Sequence, residues 1–129
     1  MTDKYKLVGH EAVPCESLEE WAEWYEATFK EGGASRIVKR TILGSVWVST
    51  VFLSMDHQWG DGPPLLFETM VFGLPTGHWM HDYQQRCSTW EQAEGMHWMA
   101  LRQLKKCIKL RAKRKARRMT AKRLGQRAA

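Results

Sequence analysis

Every one of the seven Trp, four Phe and three Tyr in this 129-residue chain lies at or before Trp98, and no acidic residue follows Glu94. A core must therefore come from the first hundred residues, because the remainder of the chain has little to bury. Residues 102–127 hold 13 of the 20 Lys and Arg residues. The other 7 cations stand against 14 acids, so the formal +6 divides into a body near −7 and a tail near +13. The chain is an electrostatic dipole, and a segment of such charge density attracts polyanions by counterion release.

With 43% hydrophobic residues the length suits one domain. The division expected is an acidic α+β body over residues 1–101 and a basic helical extension and arm over residues 102–129. Cys15, Cys87 and Cys107 are widely spaced, form no CxxC pair and follow no signal peptide, which points to a reducing cytoplasm. The longest nearly apolar stretch, residues 42–53, is interrupted by Gly44, Ser45, Ser49 and Thr50 and falls short of the roughly 20 residues that span a bilayer. No membrane partner is expected.

Local patterns place the elements. Tyr5 to Val8 reads as a short strand, and Pro14 imposes an extended approach to Ser17. Ser17-Leu18-Glu19-Glu20 has capping-box spacing, with Glu20 expected to reach back to the amide of Ser17. Leu18, Trp21, Ala22, Tyr25 and Phe29 then recur at helical spacing until Gly32-Gly33. Residues 36–43, 46–53 and 65–72 read as strands, the first two joined by the two-residue turn Gly44-Ser45. Gly60-Asp61-Gly62-Pro63-Pro64 marks a loop, residues 73–82 a second, and residues 83–87 a short fourth strand. Ser88-Thr89-Trp90-Glu91 repeats the serine-to-glutamate cap, and Trp90, Ala93, His97, Leu101, Leu104 and Ile108 continue along one face of a long helix. Gly95 costs about 1 kcal/mol there, too little to end it.

The fold predicted is one α+β domain. Its N-terminal acidic helix and long C-terminal helix pack on one face of a three- or four-stranded, mainly antiparallel sheet, followed by the basic arm. Trp21, Tyr25, Phe29, Trp90, Leu101 and Leu104 are expected to meet Val46, Val48, Phe52, Leu66, Met70 and Phe72 or their alternates. After Leu110 the apolar face shrinks to Ala112, Ala116 and Met119, so the arm is expected to be helical on phosphate and frayed when free.

The wording of residues 48–57 (VSTVFLSMDH), 60–73 (GDGPPLLFETMVFG), Tyr83 and residues 88–94 (STWEQAE) resembles a family of small uncharacterised proteins of bacteriophages and prophages. The resemblance runs from Val48 to about Leu101, stops before the basic tail and brings no activity or functional residue with it. It implies the cytoplasm of an infected bacterium.

Catalytic and metal chemistry find thin material. Asp56, His57 and Asp61 in one loop, with His78, His81 and Asp82 in the next, suit zinc or manganese by type. His78 and His81 are three apart in a loop without a second pair at zinc spacing, so a polar rim is the reading adopted and no metal or other cofactor is expected. Cys87 near His81 or His97 is the one nucleophile–base pairing, and no motif surrounds it. Cys15 and Cys87 each precede a helix start, where a dipole lowers a thiol pKa, but buried cysteine is the commoner case. No enzyme is expected.

The arm carries the functional expectation: non-enzymatic binding of DNA or RNA through phosphate contacts. The candidate residues are Arg102, Lys105, Lys106, Lys109, Arg111, Lys113, Arg114, Lys115, Arg117, Arg118, Lys122, Arg123 and Arg127. The tail has no ring on which a base can stack, so sequence reading is not expected of it. The alternative is a protein-binding inhibitor of a host nucleic-acid-processing or defence factor. In that reading Glu16, Glu19, Glu20, Glu23, Glu26 and Glu31 imitate a phosphate row, or accept the arm intramolecularly.

Overall fold

The computed structural model describes residues 3–128. Strands β1 (Tyr5–Val8) and β2 (Glu11–Pro14) form an antiparallel hairpin, followed by helix α1 (Leu18–Ala27). Strands β3 (Ile37–Leu43), β4 (Val46–Phe52), β5 (Phe67–Phe72) and β6 (Gln84–Cys87) form an antiparallel sheet in sequential order, and helix α2 (Trp90–Ala128) closes the chain. The architecture is α+β. Where one N-terminal strand was expected, residues 5–8 instead pair with residues 11–14 across a Gly9-His10 turn, because Gly9 takes φ 62 and reverses the chain.

Gly44 takes φ 64 between β3 and β4, as expected of a turn whose first central residue is glycine. The register then sorts the side chains. Val48 lies opposite Val71, Thr50 opposite Thr69 and Phe52 opposite Phe67, and these six belong to the face beneath α2. Of the alternatives left open from sequence on β5, Met70 and Phe72 lie on the face turned away from α2, where the Phe72 and Trp47 rings stack 5.4 Å apart. A strand with apolar residues on both faces does not declare its buried side, and the pairing to β4 decides it.

Helix α2 crosses all four strands of the sheet. Ala100, Leu101 and Leu104 pack with Val48, Val71 and Met80 in one cluster, and Ala93 packs with Phe52, Leu66 and Phe67 in another. Helix α1, expected beside α2 on the four-stranded sheet, instead packs mainly on β1 of the separate hairpin and reaches the second cluster through Trp24, edge-on to Phe52 at 5.6 Å. Trp24 thus takes the place expected of Trp21 and Phe29. Trp21 stacks on Tyr25, and the Arg36 guanidinium lies over Tyr25 and Phe29, so these rings form a flank of the molecule.

Both helix caps shift slightly from the expected pattern. The Ser17 hydroxyl accepts from the Glu20 amide at 3.1 Å, but Glu20 reaches back to the Glu16 amide, one residue before the cap, at 2.9 Å. At α2 the cap is Thr89, whose hydroxyl accepts from Gln92 N, while Gln92 Oε1 accepts from the amides of Ser88 and Thr89. The Thr89–Gln92 pair therefore replaces the expected Ser88–Glu91 pair, and the helix starts one residue later.

Candidate nucleic-acid interface

The positioning of the arm follows from how α2 leaves the sheet. Leu104 is fully buried and Cys107 half-buried, and every residue from Ile108 to Arg127 is exposed. At 1.5 Å per residue this is about 30 Å of helix beyond the body. Helix α2 runs without a break from Trp90 to Ala128. Like charges recur at i,i+4 (Lys109 with Lys113, Arg111 with Lys115, Arg114 with Arg118), which weakens a lone helix, while cations near its C-terminus complement the helix dipole.

The row of α2 that is buried over the sheet, Ala93, His97, Ala100 and Leu104, continues at the same three- and four-residue spacing into Arg111, Lys115, Arg118 and Lys122. One face thus changes from apolar to cationic where the sheet beneath it ends.

The loop of residues 73–82 turns back toward that change of character. Its start is tight: Gly73 has φ 89, and a Cβ there would lie 2.1 Å from the Ser45 carbonyl oxygen. Successive turns follow, with His78 N donating to Pro75 O, His81 N to His78 O and Tyr83 N to Met80 O. Met80 is fully buried against Leu101 and Leu104 and anchors the loop, which leaves its neighbour Trp79 66% exposed. Together Gly77, His78 and Trp79 and the α2 residues Cys107, Leu110, Arg111, Arg114, Lys115 and Arg118 line a groove of about 1030 Å³. Four of the thirteen candidate cations are gathered here beside an indole.

The other candidates are distributed around the helix. Lys105, Lys106 and Lys109 flank Leu43 and Gly44 of the β3–β4 turn, and Arg102 lies with Lys105 and Lys106 beside Met99. Lys113, Arg117, Lys122, Arg123 and Arg127 are exposed on the projecting segment. Among the described residues no Lys or Arg of this run takes part in an ion pair with the body, so the intramolecular docking weighed from sequence is not the arrangement adopted. On α1, Glu19, Glu23 and Glu26 are exposed, whereas Glu20 is engaged by Lys6 at 2.8 Å.

The polar loops have structural tasks. Asp56 Oδ1 accepts from the amides of Gln58 (2.8 Å) and Leu65 (2.9 Å), His78 Nδ1 accepts from Met80 N, and the His81 ring lies 3.2 Å from the Leu74 carbonyl. Among the described residues no three His, Cys, Asp or Glu side chains gather as metal ligands. Burial raises the Cys15 and Cys87 thiols above their ordinary pKa, the reverse of activation by a helix terminus. Cys87 Sγ donates to the Thr89 carbonyl, and both ring nitrogens of His97 are hydrogen-bonded to threonines, so these groups form no nucleophile–base pair.

Sequence reasoning singled out the cations and not Trp79, which the fold sets beside four of them. The signal available was the Trp79-Met80 pair set between His78 and His81, where one apolar residue anchors and the next is displayed. No described helix is long and apolar enough to cross a membrane. The chain matches no protein-family model, no curated protein and no solved structure.

Proposed function

We propose that this chain is a non-enzymatic accessory protein, of the phage kind that residues 48–101 resemble, which binds nucleic acid in the cytoplasm through its C-terminal helix. The observation that carries the reading is the segregation of charge onto a projecting rod. Thirteen cations without one acid occupy residues 102–127, and the rod is exposed on all sides from Ile108 to Arg127. A partner able to neutralise such a rod has regularly spaced negative charge, which is the property of a phosphate backbone. The body orients the rod through the buried contacts of Ala100, Leu101 and Leu104. No catalysis is assigned.

The test is the salt dependence of binding. If the helix contacts about 6–10 phosphates, affinity for duplex falls by roughly a thousandfold or more between 50 and 200 mM salt, with little preference for sequence. Replacing Arg114, Lys115, Arg117 and Arg118 together with Gln is expected to reduce the log–log slope by about 3 to 4. The melting temperature should barely change, because these side chains lie outside the core. An unchanged affinity and slope would remove the arm from the binding surface and leave the inhibitor reading to be pursued on the acidic face of α1.

A further inference from the structure

The arm itself has no aromatic residue, yet the fold brings one to it. Trp79 is held at the edge of the cationic groove by buried Met80, exposes two-thirds of its surface, and has the His78 ring beside it at 6.2 Å and 21°. Across the same groove stand Arg111, Arg114, Lys115 and Arg118.

Phosphate contacts fix position on the backbone and do not distinguish a stacked base from a free one. In a duplex, however, the faces of internal bases are stacked on one another and closed to a protein ring. An exposed indole beside a file of cations matches the means by which single strands are held, with bases stacked on aromatic faces while Lys and Arg follow the backbone. A non-nucleic polyanion would use the cations and leave the indole idle.

Resting on the nucleic-acid reading above, we infer that Trp79 and the Arg111–Arg118 side of α2 form a site for an unpaired nucleotide, with its base on the indole and its phosphates on the arginines and Lys115. The protein therefore prefers single-stranded nucleic acid, or duplex with unpaired ends, over continuous duplex.

The experiment measures binding of the full chain to oligothymidylate, to a blunt duplex and to inorganic polyphosphate at one salt concentration. Trp79→Ala is expected to weaken oligothymidylate binding about 5- to 100-fold, to leave polyphosphate binding unaltered and to affect the duplex far less. Trp79→Phe, which keeps a stacking face, should recover most of the loss. Equal affinity of Trp79→Ala and the parent for oligothymidylate would overturn the inference. So would equal losses for all three ligands, which would mean that Trp79 positions the loop or the helix rather than a base. The Gln replacement of Arg114, Lys115, Arg117 and Arg118 serves as the separate control. If it binds all three ligands as the parent does, the nucleic-acid reading itself fails, whatever Trp79 contributes.

Discussion

The Nδ1 atom of His97 lies 2.8 Å from the Thr50 hydroxyl in the centre of the interface between α2 and the sheet, with no part of the His97 side chain exposed. Its Nε2 atom lies 2.9 Å from the Thr41 hydroxyl, and Thr50 in turn lies 2.6 Å from Thr69. A polar chain thus crosses three adjacent strands beneath an otherwise apolar helix face. A neutral imidazole offers one donor and one acceptor, and hydroxyls supply the complement to either.

This arrangement makes stability fall in mild acid. Burial, with a smaller contribution from Lys39, holds the His97 pKa below its ordinary 6.5, so the folded ring stays neutral where the unfolded one takes up a proton. Its stabilising effect is complete above pH 6.5 and is lost as the pH falls from there toward the depressed folded value. His97→Gln is expected to cost about 1–3 kcal/mol at pH 7.5, and to lose less on going from pH 7 to pH 5 than the parent does. Urea unfolding at a series of pH values measures both. Parallel curves would show that the ring titrates alike in the folded and unfolded chain.

Ser54 is the described non-glycine residue with positive φ, at 64°, and its buried hydroxyl oxygen has no hydrogen-bond partner among the described residues. Its backbone is well used, since the carbonyl accepts from Tyr5 N and from Trp21 Nε1 and so ties the hairpin and α1 to the end of β4. Ser54→Gly relieves both costs while preserving that carbonyl, and is expected to raise stability by about 1 kcal/mol. Ser54→Ala removes the hydroxyl alone and should fall between the two. A glycine variant less stable than the alanine variant would mean that backbone strain contributes nothing here.

On the open face of the sheet, Glu68 Oε2 accepts from Arg86 Nε at 2.9 Å and from Gln84 Nε2 at 2.5 Å, and only 10% of the Glu68 side chain is exposed. Arg86→Ala leaves a mostly buried carboxylate with a single neutral donor and is expected to cost about 2 kcal/mol. A double-mutant cycle with Glu68→Gln should give a coupling of about 1–2 kcal/mol, above the 0–1 kcal/mol of exposed pairs. A coupling near zero would place this pair among ordinary surface contacts.

The sequence determined by itself whatever depends on neighbours within a few residues. The Ser17 cap, the Gly44 reversal, the limits of β3 to β6 within two residues, and the separation of an acidic, ring-rich body from a basic rod were all legible, because caps, turns and periodicity are local. Even there a one-residue ambiguity persisted: Thr89 and Gln92 cap α2 although Ser88 and Glu91 have the same spacing. The tertiary structure decided what depends on distant partners. Pairing with β4 turned Val71 inward and Phe72 outward, packing against Phe52 selected Trp24 over Trp21, and burial of Met80 under α2 brought Trp79 to Arg111 and Lys115. The arm's charge could be counted from the chain, but the ring beside it could not. Some thirty residues separate the two, and only the closing of a loop onto a helix that it meets nowhere in the sequence makes them neighbours.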